Sequence, residues 1–268
     1  MKNTHALTIA ALLLLPSLSP GQSLRDRIID NHYAYLQEGQ GRFPTLIAIP
    51  GCSGISSDDS AAEESNPELA EDDRLFRRHY RRIAGSLQGE GLAVLLINIH
   101  KAEGVLTACA GQIQHERIAA YIDEAIAWAK DLPFVDPDSI HLIGWSMGGG
   151  GVLKWLHGPR REAASVRSAI AVYPDCSKHS DLTIPLPTLM LLGGSDDIAE
   201  PSECENLVDS ATTRNQIEVE SYPGARHGFD ITDAPARLDI GSGMTVGYQE
   251  DAADASWQAI LQFLNRPD

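Results

Sequence analysis

Cysteine is scarce in this sequence, and no two cysteines form a C-x-x-C pair. The 268 residues include four cysteines, Cys52, Cys109, Cys176 and Cys204. Zinc ribbons and thioredoxin-type redox sites depend on that closely spaced pair, so the sequence supports neither. An even number of widely separated cysteines is typical of an exported protein that carries two disulfides.

Positive charge is also in short supply. Lysine and arginine together number 21 against 37 aspartates and glutamates, which gives a formal net charge of −16. A surface of this sign repels nucleic-acid phosphates and anionic lipid headgroups, and it disfavours polyanionic substrates. We therefore expect neither nucleic acid nor a membrane as a partner of the mature protein.

The sequence lacks the motifs that bind nucleotides. Neither G-x-x-x-x-G-K-[ST] nor G-x-G-x-x-G occurs anywhere in the chain. The nine histidines form no cluster with the spacing of metal ligands. We expect an activity that needs no cofactor and no metal.

Long apolar runs are missing as well, apart from one at the N-terminus. Residues 6–15 form an apolar run that is too short to span a bilayer. Lys2 precedes this run and a turn-rich exit follows it, as in a secretory signal peptide. We predict a signal peptide over residues 1–23, cleaved near Gly21 or Ser23, with an uncleaved anchor as the alternative. The mature protein is then secreted or periplasmic.

The rest of the chain alternates between two kinds of segment. Six apolar runs are continuous, as in parallel strands buried on both faces: residues 45–50, 92–99, 140–145, 169–173, 188–192 and 217–222. Five segments have helical periodicity: residues 74–87, 117–132, 149–157, 202–213 and 252–265. Strict alternation predicts one α/β domain over residues 24–268, with a doubly wound, mostly parallel sheet and helices on both faces. The polar stretch 56–73 is predicted to be a surface loop.

Ligands bind outside the carboxyl ends of such strands, and a G-x-S-x-G motif lies at one of them. The third predicted strand runs into Gly144-Trp145-Ser146-Met147-Gly148, and a predicted helix follows. Strand, sharp turn and helix are the context of a nucleophile elbow, which makes Ser146 the candidate nucleophile. A Gly-rich phosphate loop or a plain structural turn are the alternatives. Glycine weakens a helix, so the run 148–151 predicts tight helix–strand packing at this turn.

A serine nucleophile needs a base, and the base needs an acid to orient it. In α/β-hydrolases the acid and then the histidine follow the serine along the chain. Asp196 and Asp197 follow the fifth predicted strand, and His227 follows the last one. Adjacent side chains point in different directions, so only one aspartate can hold the imidazole, and we favour Asp196. His100, at the end of the second predicted strand, is a further candidate for lining the cleft.

The oxyanion of the transition state needs backbone N–H donors, each worth roughly 3 kcal/mol. The residue after the nucleophile, Met147, supplies one. The loop after the first predicted strand should supply the other. Pro50 has no N–H, so Cys52 and Ser53 are both candidates.

Several of these segments resemble the dienelactone hydrolase family of α/β-hydrolases. The likeness extends over about residues 45–263. Four segments carry it. The oxyanion loop is Gly51-Cys52-Ser53-Gly54, and the acid turn is Gly193-x-x-Asp196. The histidine loop is Tyr222-Pro223-Gly224-Ala225-Arg226-His227-Gly228-Phe229, and the closing helix is at residues 248–263. The resemblance implies an α/β-hydrolase fold and a small-molecule ester as the substrate.

The sequence also departs from that family. Its name-giving enzymes carry cysteine as the nucleophile, where Ser146 stands here, and Pro50 replaces the usual histidine of the oxyanion loop. The resemblance therefore implies a carboxylesterase with a Ser146–His227–Asp196 triad. The elbow is also similar to that of polyester hydrolases and cutinase-like lipases, so polyester or lactone hydrolysis is an alternative. Rivals of other classes are a catalytically silent binding protein and a peptidase or acyltransferase.

The same fold implies a pairing of the cysteines. In α/β-hydrolases the first and second predicted strands are neighbours, as are the fourth and fifth. Disulfide formation needs Cα atoms about 4.4–6.8 Å apart, which segments that follow adjacent strands can provide. We expect disulfides between Cys52 and Cys109 and between Cys176 and Cys204.

Overall fold

The computed structural model of the chain describes residues 22–55, 71–158, 165–180, 183–241 and 243–266, without the side chains of residues 71–76. Residues 1–21 of the predicted signal peptide lie outside this description. So do residues 56–70 of the predicted polar loop.

A seven-stranded sheet forms the centre of the molecule. Its strands are β1 His32–Tyr35, β2 Phe43–Ile49, β3 Ala93–Ile97, β4 Val135–Trp145, β5 Val166–Val172, β6 Thr188–Gly193 and β7 Ile217–Tyr222. Their spatial order is β1-β3-β2-β4-β5-β6-β7. Every neighbouring pair is parallel except β1 and β3, which are antiparallel. This confirms the predicted mostly parallel α/β sheet.

Helices cover both faces of the sheet and bury two apolar cores. The helices are α1 Leu24–Asp30, α2 Glu71–Gly89, α3 Ile99–Glu103, α4 His115–Lys130, α5 Met147–His157, α6 Pro201–Ser210 and α7 Glu250–Leu264. Buried side chains of α1, α3, α4, α5 and α6 join one core, and those of α2 and α7 join the other. A short hairpin, β8 Leu238–Asp239 and β9 Thr245–Val246, lies between β7 and α7.

Strands β4 and β5 begin earlier than expected, at Val135 and Val166. Two other predicted strands differ from the structure for physical reasons. The second was expected to reach Ile99, but β3 ends at Ile97 and Ile99 begins α3. The Asn98 side chain caps that helix by accepting a hydrogen bond from the Lys101 N–H, so the apolar run continues while the backbone turns. The last strand was expected to be buried on both faces. It is the edge strand β7, which leaves Glu218 and Glu220 exposed.

The glycine run after the elbow packs closely against two elements rather than one, the strand β2 and the helix α4. A Cβ atom on Gly148 would lie 2.4 Å from the carbonyl oxygen of Ile49, at the end of β2. A Cβ atom on Gly151 would lie 2.2 Å from a side-chain carbon of Ile118 in α4. The expected helix–strand packing thus explains the first of these glycines, whereas packing of α5 against α4 explains the last.

Two disulfides are present, with the pairing expected from the strand order. Cys52 is bonded to Cys109, with Cα atoms 4.7 Å apart. Cys176 is bonded to Cys204, with Cα atoms 5.1 Å apart. The first joins the loops after β2 and α3, and the second joins the loop after β5 to α6. Over the described segments, no helix combines the length and the apolar character needed to cross a membrane.

Candidate active site

Ser146 occupies a sharp turn between β4 and α5. Its φ angle is 50° and it caps the N-terminus of α5, a conformation that non-glycine residues rarely adopt. The turn is held by hydrogen bonds from the Ser146 N–H to Val172 and from the Gly150 N–H to the Ser146 carbonyl, each 2.9 Å long. A Cβ atom on Gly144 would meet the Gly148 carbonyl at 2.4 Å. The G-x-S-x-G motif therefore folds as the strand–turn–helix elbow that the sequence predicts.

The structure brings Ser146, His227 and Asp196 together in one hydrogen-bonded chain. His227 Nε2 lies 2.8 Å from Ser146 Oγ, and His227 Nδ1 lies 2.7 Å from Asp196 Oδ2. A carboxylate can only accept, so the proton is on Nδ1 and Nε2 is free to accept from the serine hydroxyl. The other oxygen of Asp196 accepts hydrogen bonds from the N–H groups of Ile198 (2.9 Å) and Ala199 (2.8 Å). These bonds hold Asp196 and the turn holds Ser146, so both partners of the His227 imidazole are fixed in place.

Asp197 points away from the imidazole and holds the hairpin instead. Its carboxylate accepts hydrogen bonds from the Thr245 N–H (2.7 Å) and the Thr245 hydroxyl (2.8 Å). Burial raises the pKa of Asp197, but the bonds from Thr245 and the charge of Arg226 outweigh this and hold that pKa below its usual value. The two neighbouring aspartates thus have separate partners, and the one in contact with His227 is Asp196.

Hydrogen bonds to the Cys52 carbonyl hold the loop after β2 in place. The Cys52 carbonyl accepts hydrogen bonds from the Ala108 N–H (2.7 Å) and from His100 Nε2 (2.9 Å). Because the C=O and N–H of a trans peptide point in opposite directions, these bonds direct the Ser53 N–H away from His100. Burial lowers the pKa of His100 to about 4, so this side chain is a neutral donor.

The buried carboxylate of Asp230 connects the elbow with the tyrosine that packs against His227. Asp230 accepts hydrogen bonds from Tyr173 Oη (2.7 Å) and Trp145 Nε1 (3.0 Å), and lies 3.2 Å from His79 Nε2. Burial raises the pKa of Asp230, but the neighbouring His79 and the hydrogen bonds from Tyr173 and Trp145 outweigh it and keep that pKa below the usual value. Tyr173 packs against His227, with ring centroids 4.6 Å apart. Asp230 therefore positions the groups on both sides of Ser146.

Ser146 and His227 open into a cavity of about 180 Å³. One side consists of Cys52, Ser53 and Cys109, so it carries the first disulfide. The segments that follow β6 and β7 lie on the other side of β4 in the strand order and contribute apolar side chains: Ile198, Ile240, Met244 and Val246. Tyr80 and Tyr173 complete the lining. In the described parts of the chain, His, Cys, Asp and Glu form no group of three that suits a metal ion.

Comparison with known proteins places this site in a family. A profile of the dienelactone hydrolase family matches residues 77–267, which is most of the chain. The chain belongs to the dienelactone hydrolase family. As a member of that family it is an α/β-hydrolase, and a small molecule is its substrate.

The relatives of this family member include hydrolases of several names. It is 26% identical to a Synechocystis protein named provisionally as a carboxymethylenebutenolidase, over 83% of this chain and 85% of the relative. It is 30% identical to lipase 1 of a Moraxella species over 50% of this chain and 39% of the relative. Its fold is similar to that of a Klebsiella pneumoniae protein named provisionally as a dienelactone hydrolase, with a TM-score of 0.65, 17% identity, and coverage of 88% and 92% of the two chains. Esterase 2 of Thermogutta terrifontis has a TM-score of 0.55 at 15% identity, over 86% and 85% of the two chains.

Sequence reasoning missed several residues at the site of this dienelactone hydrolase family member. Asp230 and Tyr173 lie beside residues that the motifs did identify, but no spacing rule reveals their contact. Ile240 and Met244 flank strands of two residues, which are too short to show periodicity. His100, considered as a cleft residue, is buried behind the loop that follows β2 instead of lining the cavity.

Proposed function

We propose that this hydrolase cleaves carboxylic ester bonds by acyl transfer through Ser146. The observation that carries the proposal is the hydrogen-bonded chain from Asp196 through His227 to Ser146, with distances of 2.7 and 2.8 Å, on a strained elbow. This is the arrangement in which a histidine activates a serine hydroxyl and an aspartate orients the imidazole.

In the first step Ser146 Oγ attacks the ester carbonyl while His227 Nε2 takes the hydroxyl proton. Asp196 stabilises the imidazolium that forms, because its carboxylate already faces Nδ1. His227 then gives the proton to the leaving alcohol. In the second step His227 removes a proton from water, the hydroxide attacks the acyl-enzyme, and the carboxylic acid leaves as Ser146 regains its proton.

The negative charge on the carbonyl oxygen needs two donors in this mechanism. Met147 is the first residue of α5, so its N–H has no acceptor one turn earlier in the helix. Cys52 and Ser53 also line the cavity that contains Ser146, and the N–H of either can be the second donor. Two N–H groups on rigid segments stabilise the oxyanion without reorganisation.

We further propose that the enzyme acts after export. Two disulfides support this, since such bonds persist mainly in oxidising compartments. The basic and apolar pattern of residues 1–23 is that of a signal peptide.

The test uses the purified chain and a Ser146→Ala variant. We expect wild-type protein to hydrolyse neutral p-nitrophenyl esters and to be labelled on Ser146 by a fluorophosphonate. Ser146→Ala should lower kcat on the order of 10⁴-fold or more without unfolding the protein. The neighbour from Thermogutta terrifontis is described as phosphorylated by paraoxon, so we expect paraoxon to modify Ser146 as well.

The outcomes separate the rival functions. A folded wild-type chain that neither hydrolyses esters nor reacts with the fluorophosphonate would be a binding protein. Faster release of amines than of alcohols would favour a peptidase, and transfer to added alcohols in preference to water would favour an acyltransferase. A Ser146→Ala variant within tenfold of the wild-type kcat would exclude Ser146 as the nucleophile.

A further inference from the structure

The hairpin between β7 and α7 closes one side of the cavity with apolar side chains. Ile240 and Met244 face each other across its turn, where the Ile240 N–H donates to the Met244 carbonyl at 3.1 Å. Both side chains line the cavity that contains Ser146. Ile240 is also one of the few large apolar residues exposed on the described surface. An exposed apolar side chain at the mouth of a catalytic cavity is well placed to bind an apolar substrate group.

The hairpin is attached directly to the two loops that carry the acid and the histidine. Thr245 donates two hydrogen bonds to Asp197, and Arg226 donates a third, 3.1 Å long, to the Thr245 hydroxyl. The Gly247 N–H donates to the His227 carbonyl at 3.0 Å. These contacts fix the distance between the hairpin and the imidazole, so the width of the cavity on this side is set by the fold.

The opposite side is fixed by a covalent bond. Cys52 and Cys109 line the cavity and are joined by the first disulfide. A substrate group that enters the cavity therefore lies between a disulfide and an apolar hairpin. The volume of about 180 Å³ is below the roughly 300–1,000 Å³ of sites that bind drug-sized ligands. A short group fits this space, whereas a long chain has to extend out of the cavity.

The charges in and around the cavity favour a neutral substrate. Among the described residues that line the cavity there is no lysine or arginine to pair with a substrate carboxylate. The whole chain carries a formal charge of −16, so the surrounding field does not attract anions.

We propose that the β8–β9 hairpin determines substrate choice, and that the substrate is a neutral ester with a short apolar group seated against Ile240 and Met244. The proposal rests on the ester hydrolysis at Ser146 proposed above. It adds the size and charge of the substrate and the two side chains that select it.

The experiment measures kcat/KM for two series of neutral esters. One series holds p-nitrophenol constant and lengthens the acyl group from acetate through butyrate and hexanoate to octanoate. The other holds acetate constant and lengthens the alcohol. A butyrate-sized ester with a terminal carboxylate tests the role of charge. We expect the wild type to prefer the short members of at least one series, and to hydrolyse the carboxylate ester at least about tenfold more slowly than its neutral counterpart.

Variants of the hairpin should change this profile. Ile240→Ala and Met244→Ala each enlarge the cavity, so each should raise the ratio of long-chain to short-chain kcat/KM about tenfold. Met244→Lys supplies a cation and should raise the relative rate on the carboxylate ester. The matched control is Leu36→Ala, because Leu36 is similarly exposed but does not line the cavity; it should keep the wild-type profile. Thermal unfolding verifies that each variant is folded.

The results distinguish this proposal from the one on which it rests. If wild-type protein hydrolyses no ester and resists the fluorophosphonate, the proposed function fails. If wild-type protein is active but both alanine variants keep its profile in both series, the hairpin does not select the substrate and this inference is overturned. Equal or faster wild-type hydrolysis of the carboxylate ester would overturn the inferred neutral substrate.

Discussion

At the scale of single residues, two adjacent aspartates have different tasks. Asp196 contacts His227 Nδ1 at 2.7 Å, whereas Asp197 accepts its hydrogen bonds from the hairpin residue Thr245. We predict that Asp196→Asn lowers kcat by about 10² to 10⁴-fold, on the order seen when a triad loses its orienting carboxylate. Asp197→Asn should lower kcat far less. Steady-state kinetics of both variants on one ester provide the check, and the reverse ranking would assign the acid to Asp197.

Asp230 is a second carboxylate whose effect can be measured, in this case on stability. Its pKa is held below the usual value in the folded protein, so its ionised form stabilises the fold above the ordinary carboxyl pKa. That contribution is lost as the pH falls towards the folded-state pKa. We predict that Asp230→Asn lowers the free energy of unfolding at pH 7 by about 3 kcal/mol, because it breaks a buried charge network. The variant should then lose less stability than the wild type on acidification below about pH 4.

Urea unfolding at several pH values tests this prediction. The control is Asp233→Asn, since Asp233 forms an exposed ion pair with Arg82, and exposed pairs contribute little to stability. Acid limbs that run parallel for wild type and Asp230→Asn would show that folding does not lower the pKa of Asp230.

At the scale of elements, the two disulfides are expected to stabilise the fold by similar amounts and can be compared directly. They close loops with sequence separations of 57 and 28 residues, and the chain-entropy model gives roughly 4 kcal/mol for each. Only the first lies on the loop that we propose supplies an oxyanion donor. We predict that replacing Cys52 and Cys109 by alanine lowers both stability and kcat/KM, whereas replacing Cys176 and Cys204 lowers stability by a similar amount and leaves kcat/KM largely intact.

Activity assays well below the unfolding temperature, together with urea unfolding, test the two double variants. Mild reduction of the wild type should likewise lower activity before the fold is lost. Equal losses of kcat/KM in the two double variants would show that the first disulfide acts only through global stability.

The start of α1 bears on the cleavage site of the signal peptide. Ser23 caps this helix: its hydroxyl accepts a hydrogen bond from the Asp26 N–H (3.2 Å), and Asp26 Oδ2 accepts one from the Ser23 N–H (3.3 Å). Such a cap contributes about 1 kcal/mol. Of the two expected cleavage positions, the one near Gly21 keeps the cap. We predict that the exported chain retains Ser23, and intact-mass measurement would show this. A mature chain that begins after Ser23, with unchanged stability, would contradict the role of the cap.

At the scale of the whole molecule, sequence patterns predicted the central sheet better than its borders. The strands β2, β4, β5 and β6 are buried on both faces, so their apolar runs were continuous and easy to recognise. The edge strand β7 kept its predicted bounds, but the exposure of Glu218, Glu220 and Ser221 within it was overlooked. The elements α1, β1, α3 and the hairpin were missed because each is short and depends on contacts made elsewhere in the fold.

The same division applies to the site. Ser146, Asp196 and His227 follow strands in an order that the sequence displays, so the order of the motifs alone predicts that they meet. The contacts of Asp230 with Tyr173 and of Asp197 with Thr245 join segments 57 and 48 residues apart. No local pattern encodes such distances, which arise only when the loops at the carboxyl edge pack together.

The strand order has a further consequence, for the way the chain gains its activity. Ser146 follows the central strand β4, while His227 follows β7 at the edge of the sheet, with β5 and β6 between the two. A refolding chain that has joined only its central strands holds the nucleophile without the base. Regain of hydrolysis therefore cannot precede the docking of β7. The recovery of the enzymatic rate during refolding thus reports when β7 has joined the sheet, which probes of helix content alone do not reveal.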